Sequence, residues 1–168
     1  MTVEELNQLE KSAFVERVGP VFENSPWIAA ETWHRRPFAS RDRLLFELSN
    51  TVLKGGRKAQ KELIQAHPDL AGKLAAGGKL TEESTREQAA AGITKADKSV
   101  IAAIQDKNKR YRKKFGFPFV ICARLNNVET ILKAFDERLQ YPEDVEIDTA
   151  LKEIFKIARL RLFDIVSA

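Results

Sequence analysis

Histidine, cysteine, carboxylate and guanidinium groups move protons and hold anions in most active sites, and this sequence has few of the first two: His34, His67 and Cys122. Two imidazoles and one thiol do not make a histidine-rich metal site or a thiolate cluster, so no metal is expected. His34 follows Trp33 and precedes Arg35-Arg36-Pro37, a basic helix end where an imidazole serves as an exposed cap, and it reads as structural. His67 differs. Pro68 disfavours helical geometry at the residue before it and places His67 at a junction between helices. There it either caps Pro68-Asp69-Leu70 or projects into a pocket, where an imidazole with an unperturbed pKa of ~6.5 holds or releases a proton near neutrality.

Three further groups carry two readings each. Ser84-Thr85-Arg86-Glu87 has the serine-x-x-glutamate spacing of a capping box, yet Glu87 and Gln88 can equally enter a pocket from that helix start, where free backbone amides suit an anion. Arg161 sits on the shoulder of the stripe Leu151, Ile154, Phe155, Ala158, Leu162 and Ile165. A cation there needs a buried carboxylate, a route to solvent, or the carboxylate of a ligand bound by two parallel hydrogen bonds. Phe115-Gly116-Phe117-Pro118-Phe119 either stacks a planar heterocycle or is plain core.

Helices must position these residues. Thr2 with Glu5, Ser25 with Pro26, and Ser40 before Leu44, Leu45, Leu48 and Val52 are start signals, and Gly55-Gly56 stops the last. Apolar residues recur at three- and four-residue intervals over 58–66, 84–91, 95–114, 128–139 and 147–166. Only Phe117 to Cys122 has strand-like content. Its proline argues for an irregular buried or short extended segment instead. Gly77-Gly78 reads as a loop. The expectation is an all-α, single-domain irregular bundle over residues 1–168.

The 168 residues are 43% hydrophobic and 31% charged, which fits one globular domain and excludes a disordered chain. The longest apolar run, Phe117 to Ala123, falls far short of the ~20 residues of a membrane span. The opening MTVEELNQLEK lacks a signal-peptide pattern, and Val166-Ser167-Ala168 is not a peroxisomal address, so a cytoplasmic protein is expected. The net charge of +4 concentrates in 107–114, KNKRYRKK. This run can contact phosphates as a nucleic-acid-binding helix. A solvated basic face near a helix carboxyl end is favoured, because acidic residues keep the overall charge modest and no recognition motif accompanies it. Phosphate loops, nucleophile elbows and dinucleotide fingerprints are absent.

Three separated segments, His67-Pro68-Asp69-Leu70-Ala71-Gly72-Lys73, Ser84 to Gly92 and Asn108 to Phe119, resemble in order and spacing the signatures of the 2-oxo-4-hydroxy-4-carboxy-5-ureidoimidazoline (OHCU) decarboxylases. The resemblance runs from the Phe14 to Trp33 region through 153–162, EIFKIARLRL, without a departure at the motif positions. It implies an all-helical, cofactor-independent carboxy-lyase, a homodimer, that converts an anionic small molecule, OHCU, to (S)-allantoin in urate degradation. Urate oxidase and 5-hydroxyisourate hydrolase are the implied functional neighbours; neither nucleic acid nor membrane is an implied partner. It further implies that His67 is catalytic and that Glu87 assists it or acts on the substrate carboxylate. Ser84, Thr85, Arg86, Gln88 and Arg161 would bind the substrate, with Pro68 and Phe119, Val120, Ile121, Cys122 and Ala123 lining the pocket.

Overall fold

Helix starts follow the side chains that satisfy otherwise orphaned backbone amides. In the computed structural model, which describes residues 1–72 and 80–168, α1 (Val3–Asn7) begins at Thr2. The Thr2 side chain accepts from Glu5 N at 3.2 Å, and the Glu5 carboxylate accepts from Thr2 N at 2.8 Å, forming the expected capping box. α2 (Lys11–Val18) and a 3-10 turn (Gly19–Val21) lead to α3 (Trp27–Thr32). Here the sequence signal is half right. A helix starts after Ser25-Pro26, but Pro26 occupies the cap position and the Ser25 hydroxyl donates instead to Glu23 O at 2.9 Å.

A second 3-10 turn (Trp33–Arg35) precedes α4 (Arg41–Lys54), whose first turn is capped by Ser40 accepting from Arg43 N at 3.0 Å. The Gly55-Gly56 stop is real and abrupt: α5 (Gly56–Gln65) starts at once, with Gly56 at φ +84°, where a side chain would be strained. Residues 1–66 and 155–168 form one compact unit. Its core includes Leu6, Phe14, Val18, Ile28, Leu44, Leu48 and, from the end of the last helix, Ala158 and Leu162, all closed to solvent.

Residues 67–154 form the second unit. Its helices are α6 (Glu82–Ala90), α7 (Lys98–Phe115), α8 (Val128–Arg138) and the first half of α9 (Glu143–Ile165). The Gly77-Gly78 loop expectation lies outside the described residues. α7 ends at Gly116 (φ +79°), whose N–H donates to Arg112 O at 2.8 Å, a left-handed cap for which glycine is the natural residue. The chain then runs as a buried non-helical strap, Phe117 to Cys122, into a 3-10 turn (Ala123–Leu125). The aromatic segment is core: Tyr111 packs among Phe115, Phe117, Phe119 and Phe135, and the last two stack with centroids 3.7 Å apart. Asn127 and Thr130 form a capping box for α8 that the sequence reading did not pick out. Among the described residues there is no β-strand, and no helix is long and apolar enough to cross a membrane.

Candidate functional site

α6 inverts the usual pattern of a helix on a core. Its buried side chains are Ser84, Glu87 and Gln88, spaced to share one face, while Ala89 and Ala90 are exposed. The capping-box account of this stretch does not hold. The helix starts earlier, at Thr81, whose hydroxyl accepts from Ser84 N at 3.2 Å, so Glu87 lies in the body of the helix, beyond its free amides. A glutamate only 9% exposed that is not a cap needs another reason to be there. Thr85 and Arg86 point the other way, into solvent, and Thr85 donates to Thr81 O at 2.9 Å.

His67, 7% exposed, lies just past the end of α5. Pro68 and Asp69 are not helical, so His67 does not cap a helix at Pro68-Asp69-Leu70. The loop it opens is clamped by side chains of α6 and α7. Gln88 Oε1 accepts from Ala71 N at 3.1 Å and Gln88 Nε2 donates to Asp69 O at 3.4 Å. Asn108 donates to Leu70 O at 2.7 Å, Gln105 to Ala71 O at 2.8 Å, and Arg112 Nε to Asp69 Oδ1 at 2.9 Å. The clamp explains how Ala71 is held at φ +52°, which costs an L-residue roughly 1–2 kcal/mol. Gln88 therefore links the buried face of α6 directly to the histidine loop. Asn108 and Arg112 were missed as positioning groups, although Asn108, falling between Ile104 and Tyr111 on the buried stripe of α7, was a visible anomaly.

The strap forms the third part. Phe119, Val120, Ile121, Cys122 and Ala123 are all buried. Val120 O accepts from Arg138 Nη1 at 2.8 Å, Cys122 N donates to Glu153 Oε1 at 3.2 Å, and Cys122 O accepts from Asn126 Nδ2 at 2.9 Å. The 3-10 turn at its end packs on α6, bringing the strap to the helix that carries Ser84, Glu87 and Gln88. A cleft of about 550 Å³ opens on α7 beside the clamp, lined among others by Asp69, Gln105, Asn108, Lys109 and Arg112.

Arg161 belongs to the first unit. Its guanidinium donates to Glu23 Oε2 at 2.8 Å and to Pro20 O at 3.1 Å, a pair whose side chains are 5% and 1% exposed. The buried-carboxylate account of its place on the apolar stripe is thus met by Glu23. His34 is exposed, with Lys11 Nζ 3.1 Å from its Nε2, as a structural residue would be. Much of the basic run is engaged: Lys107 pairs with Asp136, Arg110 with Asp106 and Arg112 with Asp69, and Tyr111 is fully buried. Among the described residues no group of three or more His, Cys, Asp and Glu side chains is placed to hold a metal ion.

These features define a class of all-α protein that buries a polar helix face next to a rigidly clamped loop. The particular family follows from comparison. The chain belongs to the OHCU decarboxylase family, whose model, described as OHCU decarboxylase, matches residues 7–163. It is 42% identical over 162 residues to the 2-oxo-4-hydroxy-4-carboxy-5-ureidoimidazoline decarboxylase of Halalkalicoccus jeotgali, covering 96% of this chain and 90% of that one. It is 38% identical to the Mus musculus protein of the same name, covering 100% and 94%. The uric acid degradation bifunctional protein PucL of Bacillus subtilis is 33% identical over 99% of this chain and 33% of its own length. A crystal structure of an OHCU decarboxylase in the presence of (S)-allantoin shares the fold, with a TM-score of 0.71 and 23% identity over 93% of this chain and 97% of that one.

Proposed function

We infer that the chain decarboxylates OHCU to (S)-allantoin in urate degradation, with His67 and Glu87 as its proton-transferring and charge-bearing groups. The observation that carries the assignment of residues is Gln88. It sits on the same buried face as Glu87 and holds the backbone of the loop that begins at His67.

The chemistry suits such equipment. As the bond between C4 and its carboxyl group breaks, the electron pair forms a C4–C5 double bond and the C5 imine pair moves onto nitrogen. The substrate is therefore its own electron sink. Protonation at C5 from one face and ketonisation of the C4 hydroxyl yield a single enantiomer of allantoin. The protein need only bind, orient and deliver one proton, a step for which an imidazole titrating near neutrality is suited. A Glu87 carboxylate near the departing carboxylate would raise the energy of the bound substrate. Ser84 and the spare N–H of Gln88 would serve the ureido and ring polar groups, with Pro68, the end of the strap from Phe119 to Cys122, and Ala123 as walls. Thr85 and Arg86 lie on the exposed side of α6, and a share for them in binding rests on the family resemblance. A share for Arg161 in binding the anion rests on the family resemblance. That resemblance also supports a homodimer in the cytoplasm, which sedimentation of the purified chain tests for assembly. The bifunctional Bacillus relative supports working beside other urate-degrading enzymes.

The test generates OHCU from urate with urate oxidase and 5-hydroxyisourate hydrolase, adds the protein, and follows (S)-allantoin by circular dichroism. Acceleration over spontaneous decay is expected. His67→Asn should fold normally and lose roughly 10²- to 10⁴-fold in turnover, the usual contribution of a positioned acid or base. An inert wild-type protein defeats the functional reading; an active His67→Asn removes His67 from the chemistry.

A further inference from the structure

Behind the strap lies a charged network in an otherwise aromatic core. Arg138, 5% exposed, donates from Nε to Glu146 Oε1 at 2.7 Å, and its Nη2 is 2.5 Å from the same oxygen. Tyr111 donates to that oxygen as well, at 2.6 Å. Glu146 is fully buried, and its Oε2 has no hydrogen-bond partner among the described residues. A buried pair with a bare acceptor is a poor way to gain stability, since well-packed apolar residues of similar size do as well or better. Position is what the network supplies. With Nε bonded to Glu146 and Nη2 close to the same oxygen but without a hydrogen bond of its own, the guanidinium directs Nη1 at Val120 O (2.8 Å) and lies 4.1 Å from the centre of the Phe119 ring, so it grips two successive residues of the strap, Phe119 and Val120.

The grip orients the residue that follows. Val120 O and Cys122 N both turn toward the core, to Arg138 and Glu153. Between these two anchored groups, neither the N–H nor the C=O of Ile121 is hydrogen-bonded among the described residues. We propose that Arg138, locked by Glu146 and Tyr111, is a positioning residue that sets the strap so that the Ile121 peptide groups are presented to the substrate. This inference rests on the decarboxylase reading above for what the strap receives. Arg138 is buried and acts through the strap backbone that it holds.

The test uses Arg138→Lys, with Arg138→Met as a second variant, on the full chain. Lysine keeps the charge for Glu146, but one ammonium cannot span Glu146 and Val120 as the planar fork does. For folded Arg138→Lys the expected result is a KM for OHCU raised about tenfold with kcat changed far less, the pattern of lost binding rather than lost chemistry. In parallel, hydrogen exchange should show the Cys122 amide, which donates to Glu153 at the far side of the grip, exchanging about tenfold faster in the free protein, with the amides of α8 unchanged. Unchanged exchange in the strap overturns the proposal, as does a kinetic loss that merely tracks the folded fraction. Should the wild-type protein prove inert toward OHCU, the decarboxylase reading fails by itself, and the exchange arm still decides whether Arg138 holds the strap.

Discussion

Among the described residues, an arginine–glutamate pair with both side chains buried occurs in each unit, and the two pairs are built differently. In the first unit, Arg161 meets Glu23 at 2.8 Å and uses a second nitrogen on Pro20 O, and neither partner has a side-chain atom left buried without a bond. In the second, Arg138 and Tyr111 converge on one oxygen of Glu146, and the other oxygen and Arg138 Nη2 are left without a hydrogen bond among the described residues. A fully satisfied buried pair recovers much of its desolvation cost, whereas a half-satisfied one does not. The contrast separates an ion pair compatible with a purely structural role from one whose retention calls for some other return.

The largest effect comes from breaking either pair from one side. Arg161→Met strands Glu23 and Glu146→Ala strands Arg138, and each should lower unfolding free energy in urea by about 3–5 kcal/mol. The contrast sharpens when both partners go. Glu146→Leu with Arg138→Met removes an acceptor that was already unmet, so it should recover more of the loss than Glu23→Leu with Arg161→Met. Equal recovery would erase the distinction between the two pairs.

Tyr111 gives the next largest effect. Burial first, and then the hydrogen bond to the Glu146 carboxylate, raise its pKa well above the ordinary 10.0. The folded protein therefore holds this proton more tightly than the unfolded chain. The resulting stability is fully present below pH 10 and is lost as the pH climbs from there toward the raised folded value. Tyr111→Phe should cost about 1.5–3 kcal/mol at neutral pH, the worth of a hydrogen bond to a charged group. Above pH 10 the gap between wild type and variant should close by about 1.4 kcal/mol per pH unit. A gap that stays constant through that range would mean that Tyr111 is not the buried proton holder of the second pair.

The same contrast marks how far the sequence could be read. Arg161 was visible as a cation on an apolar stripe, and the structure supplies the buried carboxylate that such a position demands. Arg138 stands in an equivalent place, following Ile131 and Phe135 on α8, yet its partner Glu146 comes from another helix. Periodicity reveals that a charge is buried but not which loop it serves. Helix existence was legible because caps and apolar spacing are local, as at Thr2, Ser40 and Gly55-Gly56. Helix starts were less so where two hydroxyls compete: Ser84 with Glu87 imitated a capping box, and Thr81, three residues earlier, took the cap. The clamp on the histidine loop was beyond local reading altogether, since Gln88, Gln105, Asn108 and Arg112 reach residues 17 to 43 positions away. Only the resemblance to a family joined His67 to Glu87.

Caps give the smallest effect and the finest test of that competition. Ser40 in the first unit and Thr81 in the second do the same physical work, each accepting from the amide three residues on, at 3.0 and 3.2 Å. Ser40→Ala and Thr81→Ala should therefore cost alike, about 1 kcal/mol in urea unfolding, with KM for OHCU unchanged. Ser84→Ala should behave in the opposite way. Its hydroxyl is not the cap, so the cost to helix α6 is smaller, but it shares the buried face with Glu87 and Gln88, and its loss should raise KM. If Ser84→Ala instead lowers stability as Thr81→Ala does and leaves KM alone, the buried polar face of α6 is a structural feature, and the substrate contacts must be sought along the strap.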